Sequence, residues 1–356
     1  MSHSPTAVAK STNVFDRLIE AARRDPKSVA LRHKHRGAWD AWSWRSIVVA
    51  VDRFASGLRR NGVEAGSVVA FAGEVSPNFL IAALAARAIG AAVISIAPRA
   101  GTPEIAAVLR GLPVRLAVVQ GREALAEWLQ AENAAGKSIA IAFDHVTPDG
   151  RSPHPSVLPI ANLRDHAEEQ GWVEALGAAS TVARRKSTLW IDATTAWPDG
   201  LDVIANLWLA SRDTLALPEL LAASARDRFE IRPNRWIASS DRLAAARAEI
   251  VGRLPPEGGV AARVVAHAIG SASRSASAAA PLVKSLLRYR FGMSRLNFVE
   301  VGDVHEHTKE REEAERLFAA LGAPLRPIDS DDLSAETTGP TPAHAIGRLA
   351  LSGDAR

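Results

Sequence analysis

The sequence predicts an α/β fold in which two sheet-containing subdomains are flanked by helices, and three observations carry that expectation. Short apolar runs at residues 68–72, 92–96, 116–119 and 139–143 alternate with stretches of helical periodicity, as a parallel sheet covered on both faces requires. The alternation stops at a connector containing proline and histidine, residues 147–159, and then resumes. A chain of 356 residues with 47% apolar and 23% charged side chains can bury one large core or two ordinary ones.

In chain order, Phe15, Leu18, Ile19 and Ala22 fall at i, i+3, i+4 and i+7, the stripe of an amphipathic helix. Thr12 or Asn13 can cap its start and Asp25-Pro26 follows its end. Residues 29–32 and 38–42 read as a hairpin around a turn at 34–37, and Ser43 caps a helix with the stripe Ile47, Val51, Phe54 and Leu58, closed by Gly62. Helices are expected at 77–89 and 122–135, and another begins at Thr102-Pro103-Glu104, read as cap, first-turn proline and acid at the positive end of the dipole. Beyond the connector, strands are expected at 187–191, 235–239, 296–301 and 324–328, with helices at 201–211, 241–254 and 309–321. GSASRSASAAA, residues 270–280, reads as a surface loop. The division that follows is a poorly ordered N-terminus at 1–12, a first α/β subdomain at 13–146, a second at 160–333, and a tail at 334–356.

Composition excludes several classes. The 43 basic and 39 acidic side chains leave a net charge of +4 spread along the chain, without the clustered basic face that nucleic acid needs. There is no cysteine, hence no disulfide, thiolate nucleophile or thiolate metal site. The opening residues lack the apolar core of a signal peptide. Residues 79–97 are apolar enough to suggest a membrane span, but Arg87 near the middle and Gly90 divide them into a helix and a buried strand. A cytoplasmic protein without a transmembrane segment or nucleic-acid partner is expected.

Three motifs have two readings each. AENAAGKS, residues 131–138, approaches a phosphate-binding loop, but that loop needs a strand before it and a helix after it. Here the order is reversed, which makes it a turn. Asp303, His305, Glu306 and His307 could approach a metal, yet no further ligand is placed by spacing. Trp39, Trp42 and Trp44 read as core and edge packing around the hairpin rather than a binding platform.

Taken together, VFDRLIEAARRDPKSVALR, RGAWDAWSWRSI, the long segment from FASGLRRNG to EIAAVL, FEIRPNRWIASSDRLAAARAEI and LFAALGAPLRPID resemble, in order and spacing, the adenylate-forming (ANL) superfamily. The likeness is to its AMP-binding, long-chain acyl-CoA synthetase branch and spans residues 13–348. It implies the N-terminal-domain fold of that superfamily. The family's phosphate loop, T-S-G-T-T-G-x-P-K-G, is matched by Ile191 to Gly200, IDATTAWPDG. Thr194, Thr195, Pro198 and Gly200 agree with it. Ala193 and Ala196 replace glycines that would let the backbone approach phosphate, and Asp199 replaces the lysine, turning attraction into repulsion. For the family's Y-G-x-T-E motif the nearest stretch is DSDDLSAE, with Glu336 as candidate magnesium ligand, and the glycine-rich loop before it has become Glu300, Val301, Gly302, Asp303. Ala345 to Arg348 look like the family's next turn, after which the ribose-binding acid, hinge and lid with its catalytic lysine have no counterpart.

The resemblance therefore implies a catalytically impaired pseudo-ligase, without catalytic residues or a required cofactor, serving as a binding or scaffold protein in acyl metabolism. Its expected ligands are an acyl chain or acyl-CoA, with a protein partner. The alternative is an active fatty-acid–CoA ligase using ATP and magnesium through a divergent site, or with a lid supplied by another chain.

Overall fold

A computed structural model describes residues 14–144, 154, 156–164, 172, 176, 187–197, 200–270, 279–302 and 309–328. Helix α1 (Val14–Arg24) leads into the hairpin β1 (Val29–His35) and β2 (Ala38–Ser43), then α2 (Trp44–Arg60). The hairpin turns on Arg36 and Gly37, at φ 49° and 78°, the two left-handed residues that match the twist of paired strands. Ser43 accepts the Ser46 N–H at 3.1 Å and caps α2 as expected.

Next come β3 (Val68–Ala72), α3 (Pro77–Ala88), β4 (Ala92–Ser95), α4 (Thr102–Gly111), β5 (Val114–Val119), α5 (Arg122–Ala135), β6 (Ala140–Phe143), β7 (Val157–Pro159) and α6 (Ala161–Arg164). After them lie β8 (Thr188–Ile191), α7 (Gly200–Ser211), β9 (Thr214–Leu217), α8 (Ser224–Ile231), β10 (Arg235–Ala238) and α9 (Ser240–Gly252). The described chain closes with α10 (Val260–Gly270), α11 (Ala279–Arg290), β11 (Phe298–Val301), α12 (Lys309–Ala320) and β12 (Leu325–Pro327).

Two sheets result. One is wholly parallel, in the order β4-β3-β5-β6-β7. The other runs β12-β11-β10-β8-β9-β1-β2, parallel except at the terminal hairpin. The hairpin, early in sequence, thus pairs with β9 in the later sheet.

The fold is mixed α/β, with helices on both faces of each sheet. Val69 and Phe71 of β3 face one core while Val68, Ala70 and Ala72 face another. Leu189 and Ile191 of β8 face the first of these, and Trp190 faces a third core under α9 and α12. Strands buried on both faces account for the uninterrupted apolar runs. The core shared by the two sheets holds α1, α2, α3 and α7.

Helix α3 is apolar on nearly every side because it lies within that shared layer. Its Arg87 pairs with Asp202 of α7, so the apolar segment is a buried core helix followed by a strand. Among the described residues no helix is long and apolar enough to cross a membrane.

Local corrections to the sequence reading are few. Gly101 occupies the cap position of α4, while Thr102 is its first helical residue and donates its N–H and hydroxyl to Glu127. Residues 157–159, read as connector, form the edge strand β7. AENAAGKS is the end of α5 and its left-handed cap at Gly136, with φ 62°. The tryptophans pack as expected: Trp44 is buried and stacks on Trp208 at 5.2 Å, Trp42 abuts the shared core, and Trp39 donates to Glu230. The metal-like cluster at 303–307, most of the loop at 270–280 and the tail fall outside the described residues.

The hairpin is anchored by charge as well as by pairing. Lys34 is buried, with Nζ 2.6 Å from Glu230 and 3.1 Å from buried Asp227 of α8. The Lys34 hydrogen bond holds the Glu230 carboxyl below the usual carboxylate range. Burial pushes Asp227 upward, but Arg226, the Glu219 N–H and Lys34 together hold it low. Lys34→Met should cost about 3–5 kcal/mol, as expected when a buried pair loses one partner. Carboxyls depressed in the folded state contribute stability above their unfolded pKa, near ~4, and lose it as pH falls through the lower folded values. The difference in Tm between wild type and Lys34→Met should therefore narrow as pH is lowered through that window.

Candidate functional site

The loop between β8 and α7 connects a parallel strand to a helix, at the carboxyl end of the larger sheet. In open α/β sheets that end is where ligands bind. The strand–loop–helix order expected for residues 191–200 is present: the loop carries Thr194 and Thr195, and Gly200 opens α7. Asp199, like Glu336, lies outside the described residues.

Thr195 is buried and fastens the loop to the smaller sheet. Its N–H donates to Gly73 O at 2.9 Å, and its hydroxyl donates to Ile96 O at 2.6 Å while accepting the Gly73 N–H at 2.9 Å. The Val75 N–H donates to Ala193 O at 2.9 Å, and Glu74 forms an isolated bridge with Thr194. Gly73, Glu74, Val75 and Ile96 follow the carboxyl ends of β3 and β4, so the two sheets meet end to end at this loop.

The loop's remaining donors are also engaged. Ala196 N–H donates to Thr194 Oγ1 at 3.2 Å, Trp197 N–H to Thr194 O at 3.5 Å, and Gly200 N–H to Trp197 O at 3.1 Å. A phosphate-binding loop works by aiming such N–H groups at the anion. Here those of residues 195, 196, 197 and 200 have acceptors within the protein.

Trp197 reaches across the carboxyl end of β10 to that of β11. It is buried, and its indole lies so close to Gly302 that a Cβ there would sit 1.7 Å from the ring; one on Gly200 would sit at 2.9 Å. The crevice between the loop after β8 and the strand end at Gly302 is thus filled by the protein's own side chain. On the opposite side of the strand, buried Asp192 accepts from Trp236 Nε1 at 2.7 Å and Ser224 Oγ at 2.5 Å, with Arg242 at 3.4 Å.

The structure places Thr194 and Thr195 in the loop after β8 and Gly200 at the start of α7. Sequence reasoning missed the parts played by Trp197 and Asp192. A lone glycine at the end of a strand, Gly302, is a signal of close approach by another group, but nothing in the sequence connects it to Trp197. Among the described residues no group of three or more His, Asp or Glu is gathered to hold a metal.

Residues 18–175 match the family model for the AMP-binding enzymes. Solved structures with the same fold include acetoacetyl-CoA synthetase from Streptomyces lividans, 15% identical with a TM-score of 0.55, which covers 88% of this chain and 50% of that one. A long-chain-fatty-acid–CoA ligase from Archaeoglobus fulgidus is 12% identical, with a TM-score of 0.60 over 92% of this chain and 66% of that one. The A domain of carboxylic acid reductase from Segniliparus rugosus, solved with AMP and a co-purified carboxylic acid, is 13% identical, with a TM-score of 0.61 over 90% and 60% of the two chains. No curated protein sequence matches the chain. The fold is that of the N-terminal domain of adenylate-forming enzymes. Residues 18–175 are thus similar to the AMP-binding enzymes, the described chain shares its fold with solved acyl-CoA ligases, and it spans half the length of the acetoacetyl-CoA synthetase.

The contact between Trp197 and Gly302 can be measured. Gly302→Ala should cost about 1–3 kcal/mol through overpacking. In a Trp197→Ala background the same change should fall within about 0.5 kcal/mol. A double-mutant cycle by urea unfolding checks this, and equal costs in both backgrounds would show that the indole does not cover Gly302.

Proposed function

We propose that this protein is a ligase-like member of the AMP-binding superfamily in which the nucleotide site is closed, and that it acts as a binding or scaffold protein in acyl or lipid metabolism. The observation that carries this reading is the filled crevice: Trp197 packs on Gly302, and the described loop N–H groups are already bonded within the protein. Those residues do not fit a triphosphate. The sequence adds Asp199 where the family's loop carries lysine, so a cationic partner of roughly 1.5–3 kcal/mol is replaced by a repelling one. Electrostatic stabilisation of the transferring group provides much of the catalysis in such chemistry, and no described group replaces it. The acyl-CoA ligases among the structural relatives support an acyl chain or acyl-CoA as ligand, presented to a protein partner.

Equilibrium binding of a labelled ATP analogue tests the reading. The natural protein should show no saturable binding, with or without magnesium. The variant Ala193→Gly, Ala196→Gly, Trp197→Ala, Asp199→Lys should gain weak, magnesium-dependent binding, since cation, backbone freedom and space are restored together. Saturable binding by the natural protein, or acid-dependent release of pyrophosphate, would overturn the closed-site reading in favour of an active fatty-acid–CoA ligase with a divergent site.

The acyl ligand is tested separately. A fatty acid or acyl-CoA held by the folded state should raise Tm in proportion to RT ln(1 + [L]/Kd). A thermal-shift panel of fatty acids and acyl-CoAs that leaves Tm unchanged at saturating concentration would remove that ligand class.

A further inference from the structure

Behind the closed loop, on the Asp192 side of β8, a cavity of about 240 Å³ lies between α8 and α9. Its charged lining is Arg228 from α8, Arg242 and Glu249 from α9, Arg253 just beyond α9, and Asp192 at the end of β8, with Ser224 beside them. Three guanidinium groups therefore face two carboxylates.

The two acids do not satisfy the three cations. Asp192 takes its short hydrogen bonds from neutral donors, Trp236 and Ser224, and Arg242 stands at the longer distance of 3.4 Å. Glu249 is shared between Arg253 at 3.1 Å and Arg228 at 3.6 Å, with its Oε1 buried and itself without a hydrogen-bond partner.

Arg228 is 1% exposed. Its Nε donates to Phe291 O at 3.3 Å, and its guanidinium lies over the Trp236 ring at 4.5 Å. Its Nη2, however, is buried without a hydrogen-bond partner, as is Nε of Arg242. Buried donors on charged groups are costly to leave unmade. Consistent with this, burial lowers the Arg228 pKa despite the pull of Asp192 and Glu249.

We propose that this cavity is a binding site for a small oxyanion, a carboxylate or a phosphate group, held by Arg228, Arg242 and Arg253. An oxyanion is the ligand class that fills several guanidinium donors at once, often in bidentate fashion. The volume is below the ~300–1,000 Å³ of sites for drug-sized ligands, which excludes a whole nucleotide and suits an inorganic ion, a short acid or a single headgroup. Asp192 and Glu249 face the same space, so binding depends on all three arginines rather than on a general excess of positive charge. The site is separate from the crevice filled by Trp197, because Asp192 faces α8 and α9 while Thr195 faces the smaller sheet.

Titration of the full chain with sodium phosphate and, in a second arm, sodium acetate tests this, with ionic strength balanced by sodium chloride and Tm and heat of binding recorded. Saturable stabilisation by at least one of the two is expected, and the arm that responds identifies phosphate or carboxylate as the natural group. Arg242→Gln should weaken binding at least about tenfold, the equivalent of one charge-assisted hydrogen bond, while Arg242→Lys should retain part of it. Arg253→Gln, at a side chain 55% exposed and so of small consequence for folding, should weaken binding in the same direction and decides the matter should Arg242→Gln fail to fold. No saturable response to either anion, or unchanged affinity in a folded Arg242→Gln or Arg253→Gln, would overturn the proposal.

Discussion

A layer of helices lying between two sheets has little surface left for water, and the rest of this molecule is arranged around that constraint. Helices α1, α2, α3 and α7 give side chains to a core that also receives one face of each sheet. Helix α3 must therefore be apolar nearly all round, and its one cation, Arg87, needs a partner inside the same layer, Asp202. The strands above and below must be apolar on both faces, since each also closes an outer core. The burial of the central layer also fixes how the carboxyl ends of the sheets meet, and so where the loop bearing Thr195 must lie.

Much of this could be read from the residues. Apolar runs between helical stripes marked most strands of both sheets, β7 and β9 excepted, and Gly90 marked the division of an apolar segment that would otherwise pass for a membrane span. The strand–loop–helix setting of Thr194, Thr195 and Gly200 was legible too, through its likeness to a known loop. Pairing across long separations was not. Nothing in Val29–His35 says that its neighbour is β9 rather than β3, because both candidates are short, apolar and parallel-compatible. Helices α8, α10 and α11 escaped notice because their segments mix exposed apolar residues, such as Phe229, Val260 and Leu282, with weak periodicity, and β9 because it is only four residues long. Trp197 was invisible as a crevice-filling group for a related reason: its partner is a glycine, which carries no side chain to suggest a contact.

The loop after β8 is part of the connection between the sheets. Thr195 spends both donor and acceptor capacity on backbone groups of the smaller sheet, and the indole of Trp197 covers the strand end beyond. Polar chemistry has not vanished from the neighbourhood. It is concentrated on the other side of β8, where Asp192 meets Trp236, Ser224 and the arginines of α8 and α9. A shared fold does not fix the chemistry at its strand ends, which is why fold and function have to be argued from different residues.

The placement of the β1–β2 hairpin also bears on how the chain assembles during synthesis. The Trp208 indole that donates to Ala30 lies 178 residues further along, and β9, the strand that pairs with β1, follows it. The strands of the smaller sheet all leave the ribosome before β9 does, so that sheet can close while the larger one still lacks its centre. Through that interval Leu31 of β1 lacks its partner strand, and the layer containing α2 is covered by the smaller sheet alone. Contacts of such separation are slow to form, and apolar surface left waiting for them invites association between chains. The early hairpin must therefore wait for β9 before it can join the larger sheet, although it is made before every other strand of that sheet.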